Sequence, residues 1–243
     1  MPRFFVEPGV LNDKFITLTG ANAEHARVLR LAVGEKVTLC TGDGIDYLCT
    51  VSDLTRDRCS LVLQQSTPSA SEAALHASLY VALPKSDKME HIVQKATELG
   101  AAEIVAFPSA RCVSRPDKAS LDKKCERWQK IAVSAAEQSG RGRIPTVRTA
   151  TFDEVLLEAG AADLGVLLYE NERAYSLREA IESHALHTAA LITGPEGGFA
   201  PEEIAAAQQA NVDICTLGPR ILRCETAPLC ALSALMYAAG ELG

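Results

Sequence analysis

Three loops in the C-terminal third hold residue types able to do chemistry. The first reads Leu168-Tyr169-Glu170-Asn171-Glu172 and the second Thr193-Gly194-Pro195-Glu196-Gly197-Gly198-Phe199. The third runs from Leu217-Gly218-Pro219-Arg220 through Ile221-Leu222-Arg223-Cys224 to Glu225-Thr226. Each follows a short apolar run that reads as a strand, and in open α/β sheets ligands sit beyond the carboxyl ends of the strands. Glycines there let backbone groups approach a ligand with no Cβ in the way. One such loop is usually an ordinary turn, but two within one third of a chain argue for a shared cleft. Neither G-x-G-x-x-G nor G-x-x-x-x-G-K-[ST] occurs, so the usual dinucleotide and phosphate cradles are missing. Glu196, Glu202 and Glu203 would flank a helix N-terminus where phosphate is otherwise favoured, although acids in a first turn also stabilise a helix unaided. A phosphate-free, cationic ligand suits this loop set better than a nucleotide. S-adenosylmethionine, with a sulfonium, an ammonium and one carboxylate, fits that description.

The elements that must position these loops belong to a chain of 243 residues, 47% hydrophobic and 23% charged, enough for one large or two modest globular domains. No run approaches the ~20 apolar residues of a membrane span, and the segment MPRFFVEPGVLNDK has no secretory apolar core. Eight cysteines without a C-x-x-C pair predict neither a zinc site nor a thioredoxin motif, hence no metal and a reducing cytoplasm. The net charge of −7 is unevenly spread: residues 151–243 carry four basic and fourteen acidic groups. Residues 111–148 hold ten basic groups, opposed only by Asp117, Asp122, Glu126 and Glu137. Such a local cluster suits a polyanion whatever the net charge; the alternative is a solvated helix of mixed charge.

Residues 1–68 read as a small barrel, with β-rich stretches at Arg3–Val6, Lys36–Cys40, Tyr47–Val51 and Cys59–Leu63 and a helix over Ala23–Leu31. On that helix Val28 and Leu31 share one face, Arg27 and Arg30 another. The polar stretch Gln65–Glu72 reads as a linker. Residues 73–243 then alternate strands (Ser78–Leu83, Ile104–Phe107, Gly165–Tyr169, Ala189–Thr193, Ile214–Leu217) with helices (Lys88–Leu99, Leu121–Gln138, Pro201–Ala210, and Glu225 to Ala239). Met89, Ile92, Val93, Ala96 and Leu99 line one side of the first of these helices, and Gly100 ends it. The alternation predicts an α/β domain with a mainly parallel sheet covered on both faces.

Read in order, RFFV at 3–6, HARVLRL at 25–31, QKATELG at 94–100, RWQKIAVSAAEQSGR at 127–141, ITGPEGGF at 192–199 and LGPRILRCETA at 217–227 resemble the RsmE family. These are 16S rRNA uridine-N3 methyltransferases of the SPOUT superfamily. The resemblance implies an N-terminal PUA-like β-barrel that binds RNA and a C-terminal methyltransferase domain with a deep trefoil knot. It also implies a homodimer and methyl transfer from S-adenosylmethionine to N3 of one uridine in 16S rRNA. Cys224 stands where the family often has Thr.

Under that resemblance Arg223 would stabilise the uridinate formed when N3 loses its proton. Glu225 or Glu196 would take the proton or orient Arg223, with water an equal candidate as base; Glu225 alternatively stabilises a helix N-terminus. Leu168, Tyr169, Glu170, Thr193, Gly194, Glu196, Gly197, Gly198, Gly218, Arg223 and Ala227 are the expected cofactor shell. Leu217, Ile221 and Leu222 would enclose the adenine, and Thr226, also counted in the cofactor shell, would cap the last helix. Cys224 and Cys230 are expected to be small core residues. RNA would be held by Arg3, Arg27, Arg30, Lys95, Arg111, Arg141 and Arg143. Few aromatics (5%) favour the assembled small subunit over naked RNA as the partner. A non-catalytic assembly factor on the same fold is the rival reading, disfavoured by the intact loops.

Overall fold

The computed structural model describes residues 1–11, 13–184 and 186–242. It forms two units: residues 1–72 with 136–144, and residues 73–135 with 145–243.

The first unit is a curled five-stranded sheet. Its strands are β1 (Arg3–Phe5), β2 (Phe15–Thr19), β3 (Lys36–Cys40), β4 (Ile45–Leu54) and β5 (Arg58–Pro68), in the order β1-β3-β4-β5-β2. Register shifts at Leu48/Cys49 and Val51/Asp53 bend the long β4–β5 hairpin. Alternation drives β2: Ile16 and Leu18 are buried, while Phe15, Thr17 and Thr19 face out. With Phe4, Val37, Leu39 and Leu61 they form the core. The stretch expected as a linker is different: β5 continues through Pro68, paired to Ile45. Its polar residues reflect an exposed hairpin arm, which needs no apolar face. Beyond it Glu72 is anchored, accepting from Arg141 Nη2 (2.8 Å) and from the backbone N–H groups of Gly142 (2.8 Å) and Arg143 (3.0 Å). Residues 136–144 are thereby tied into this unit.

Helix α1 spans Gly20–Val28, as long as the pattern suggests but displaced three residues towards the N-terminus. Leu31 N–H donates to Ala26 O and Arg30 N–H to Arg27 O, with Arg30 at φ 57°. That pair of bonds closes the helix with a left-handed residue. Leu31 is buried past the end, and Val28 is exposed.

The second unit has six parallel strands: β6 (His76–Ala82), β7 (Glu103–Phe107), β8 (Thr146–Thr149), β9 (Leu164–Leu168), β10 (Thr188–Thr193) and β11 (Asp213–Cys215). Their order is β11-β9-β10-β6-β7-β8. Between them run α2 (Lys88–Glu98), α3 (Lys118–Ser139), α4 (Phe152–Gly160), α5 (Leu177–Ser183) and α6 (Pro201–Gln209), and α7 (Ala227–Ala238) follows the last strand. Helix α2 buries Met89, Ile92, Val93 and Ala96 and ends at Gly100, φ 94°. Helix α7 buries Leu232, Leu235 and Met236 against β10, β6 and α2. No helix among the described residues is long and apolar enough to cross a membrane.

Successive strands run β6, β7, β8 towards one edge, whereas β9, β10 and β11 lie on the other side of β6. The direction of winding therefore reverses between β6 and β10. A crevice at the carboxyl ends beside such a reversal is where open α/β sheets bind ligands.

Candidate active site

Because β11, β9 and β10 are neighbours, the loops that leave them are neighbours too. They wall a cavity of about 500 Å³, within the range of small-molecule pockets. Leu168, Tyr169 and Glu170 line it from β9, and Thr193, Gly194, Glu196, Gly197 and Gly198 from β10. Leu217, Gly218, Ile221, Leu222 and Arg223 line it after β11, and Ala227 from the start of α7.

The loop after β10 is held from below. Phe199 is buried and stacks on Phe152 (6.2 Å between centroids), which stacks on Phe107 (5.6 Å). A Cβ on Gly194 would come within 3.1 Å of the Phe199 ring, and one on Gly197 within 3.1 Å of Arg111 Cβ and its carbonyl oxygen. At Gly198, φ 65°, a Cβ would collide with the Glu170 carboxylate. The N-terminus of α6, where a phosphate would sit, is already occupied. Buried Glu203 accepts from Ala200 N–H (2.8 Å) and Ala110 N–H (2.9 Å).

Lys88, at the start of α2, also lines the cavity. Its Nζ donates to Glu196 Oε1 (2.9 Å) and lies 3.1 Å from Glu225 Oε2. Partial burial would raise the Glu196 carboxyl, but hydrogen bonds from Lys88 and from backbone N–H groups, including Lys85, outweigh it and hold the group at about 2. Glu225 is lowered in the same way: backbone and Lys88 hydrogen bonds exceed the effect of burial. The two carboxylates in turn raise Lys88. Arg223 is exposed, and among the described residues no carboxylate pairs with its guanidinium. No motif singles out Lys88: in the sequence it is one more polar residue at the start of an amphipathic helix. Arg173 and Thr216 likewise line the cavity without being marked by a motif, whereas Pro219 and Arg220 line it from within the third loop.

Several expectations are corrected. Thr226 stands at the N-cap of α7 with helical backbone angles and makes no side-chain cap bond, and it does not line the cavity. Ile221 is 82% exposed, at the lip of the cavity and not enclosing anything. Cys224 is buried, but Cys230 is exposed on α7. Burial pushes the Cys224 thiol up to about 11, with help from Glu225, so it is protonated at neutral pH.

The expected RNA-binding residues divide by how their charges are committed. Arg3 is tied to Asp46 by two bonds (2.6 and 2.8 Å) and is largely buried. Arg141 is buried against Glu72, so neither guanidinium presents itself to a polyanion. Lys95 pairs with Glu98 on its own helix (2.8 Å). Arg27, Arg30 and Arg143 are exposed in the first unit and Arg111 in the second, where Arg111 Nη1 donates to Gly197 O (3.3 Å). Arg27 has only a loose 3.9 Å contact with Glu24.

A parallel sheet with a glycine-walled cleft at its switch point, preceded by a curled β unit, is here the framework of an RNA methyltransferase. The family described as "RNA methyltransferase domain" matches residues 71–236, and that described as "RNA methyltransferase PUA domain" matches residues 18–64. The ribosomal RNA small subunit methyltransferase E of Bacillus subtilis is 36% identical over 247 residues, covering 98% of this chain and 96% of that one. The same-named protein of Mycobacterium tuberculosis is 36% identical over 86% of this chain and 81% of its own length. The crystal structure of the Neisseria gonorrhoeae protein of that name, bound to S-adenosyl methionine, superposes with a TM-score of 0.87 at 30% identity, covering 98% and 97% of the two chains. This chain belongs to the ribosomal RNA small subunit methyltransferase E family.

Proposed function

We propose that this chain transfers a methyl group from S-adenosylmethionine to N3 of one uridine in 16S ribosomal RNA. In this reading it acts in the cytoplasm, as a homodimer, on the assembled small subunit. The observation that carries the reading is the meeting of three adjacent strand-end loops in one glycine-walled cavity beside an unpaired arginine.

The cavity fits the cofactor. Its glycines are required for its shape, since side chains at 194, 197 and 198 would meet Phe199, Arg111 and Glu170. The N-terminus of α6, which follows the loop after β10, is capped by Glu203 and offers no phosphate site, which suits a ligand without phosphate. Backbone of the 194–198 and 217–218 loops, the side chains of Leu217 and Leu222, and Ala227 would hold the nucleoside part. Leu168, Tyr169, Glu170 and Thr193 would close the opposite wall. When bound, the cofactor supplies an electrophilic methyl group on sulfonium.

This chain's residues then align and stabilise. Arg223 donates to a uracil oxygen and favours the anion formed when N3 loses its proton. Alignment of N3 with the methyl group contributes on the order of 7–11 kcal/mol in favourable cases. Glu196 and Glu225 do not take the proton: carboxylates held down by Lys88 are poor bases, so the proton passes to water.

Exposed Arg27, Arg30 and Arg143 of the first unit, acting as an RNA-binding barrel, and Arg111 of the second, acting as the methyltransferase domain, would contact phosphates. Homodimerisation is supported by the outer face of α7, where Cys230, Ala234, Tyr237 and Ala238 are exposed. A trefoil knot through the same loops is supported by the chain path: from β10 past β9 to β11, then back along α7 to β10 and β6. The test is mass spectrometry of rRNA from a strain lacking this gene, scanned for one absent N3-methyl mark. Wild type should restore the mark and Arg223→Ala should not. Faster methylation of protein-free rRNA than of small subunits would overturn the choice of partner.

A further inference from the structure

Lys88 faces the loop after β10 across the switch point, and its ammonium has three hydrogen-bond donors and no acceptor. Three acceptors surround it: Glu196 Oε1 at 2.9 Å, Cys224 Sγ at 3.4 Å and Glu225 Oε2 at 3.1 Å. All its donors are in use, so Lys88 lines the cavity without one to offer a substrate. It also joins three segments of chain: the start of α2, the loop after β10 and the loop before α7. Two carboxylates gathered on one nitrogen stand a few ångströms apart and repel each other unless that charge is present.

Arg223 stands to be captured when that charge is lost. It lies two positions before Glu225, lines the same cavity and has no carboxylate partner among the described residues. A planar guanidinium readily takes a free carboxylate in a bidentate pair. We propose that Lys88 is a positioning residue: by binding Glu196 and Glu225 together it keeps Arg223 unpaired and available to the substrate uracil. The inference rests on the methyltransferase reading above and adds to it why Glu196 and Glu225 do not quench the cation the reaction needs.

The test compares wild type, Lys88→Met, Lys88→Arg and the triple variant Lys88→Met/Glu196→Gln/Glu225→Gln. The readouts are kcat and KM on small subunits lacking the mark, calorimetry with S-adenosylmethionine and thermal unfolding. Lys88→Met should lower kcat about a hundredfold, the scale of losing one donor to a developing anion, with cofactor affinity changed less than about threefold. Lys88→Arg, which keeps the charge, should stay within about fivefold of wild type. The triple variant should regain at least about tenfold over Lys88→Met, because the carboxylates that capture Arg223 are gone. A purely structural lysine would lose and regain kcat in step with the unfolding temperature, because the carboxylates left without it repel each other in either case; a recovery that only tracks the unfolding temperature therefore overturns the proposal. Full activity in Lys88→Met, an equal loss in Lys88→Arg, or a triple variant no better than the single one would each overturn the proposal. Should Lys88→Met fail to fold, the arginine variant decides by the same limit and the triple variant should lie within about tenfold of wild type, a larger loss in either overturning the proposal. A wild-type protein that neither binds the cofactor nor methylates subunits removes the parent reading and this one with it. An active wild type with an indifferent Lys88 removes this one alone.

Discussion

Substitution of Gly198 by alanine separates two costs that the structure places at one residue. Its φ of 65° lies in the left-handed region, and its missing Cβ faces the Glu170 carboxylate. The backbone share alone is roughly 1–2 kcal/mol for an L-residue. The steric share depends on where Glu170 goes, and the open side available to it is the cavity. Gly198→Ala should therefore lower the unfolding temperature, at roughly 2–4 °C per kcal/mol for a chain of this size. It should also weaken S-adenosylmethionine binding about tenfold, or ~1.4 kcal/mol, as the displaced carboxylate enters the space the cofactor uses. Thermal unfolding without cofactor then isolates the steric share: adding Glu170→Ala should recover that part and leave about 1 kcal/mol of backbone strain. Gly218→Ala is the comparator, since at φ 104° a Cβ there meets open space and only the backbone cost applies. Calorimetry and melting curves for Gly198→Ala that match wild type would refute the account of this loop.

Glu196, lowered from its ordinary 4.5 to about 2, stabilises the fold above pH 4.5 and loses that contribution as pH falls toward 2. Urea midpoints across that window should fall more steeply for wild type than for Glu196→Gln, and equal slopes would remove the ion pair from the stability of the cleft. Replacing Arg27 or Arg30 by alanine should reduce the slope of log K for RNA against log salt by about one per lost phosphate contact. Arg3→Ala should leave that slope unchanged and lower the melting temperature, because Asp46 loses its partner; a changed slope would reinstate Arg3 as an RNA contact. Ala234→Arg on the outer face of α7 should halve the sedimentation mass, and an unchanged mass would move the dimer interface elsewhere.

The loops that wall the cavity are legible in the sequence because their glycines and apolar strands mark them locally. The strands β9, β10 and β11 fall within a residue or two of where the apolar runs place them. Helices α4 and α5 went unmarked although each carries a capping box, Thr151 with Glu154 and Ser176 with Glu179; that signature was the available signal. Strand β2 carries its alternating signal on Ile16 and Leu18 alone, and Phe15 obscures it by facing out. Charge was the least legible property. Arg3, Arg141 and Arg111 look alike in a sequence, yet one is bound to Asp46, one is buried against Glu72 and one reaches a loop carbonyl from the surface. Pairing over forty or more residues of separation has no local signature, and Lys88 escaped notice for the same reason.

The acidic C-terminal third looks ill suited to a protein that handles RNA, but most of its carboxylates have structural occupations. Glu154 and Glu179 cap helices. Glu172 accepts from three successive backbone N–H groups, those of Arg173, Ala174 and Tyr175, and shapes the loop after β9. Asp163 binds Thr188 at the start of β10, Glu158 takes Arg148 and Tyr80, and Glu203 fills the N-terminus of α6. Glu196 and Glu225 share Lys88. A carboxylate so occupied acts on a distant phosphate only as a screened charge, whereas an exposed arginine such as Arg27 or Arg30 acts at contact. The net charge thus records how this fold satisfies the backbone groups of its loops, and the polarity that matters for the substrate is set by the few cations left unpaired.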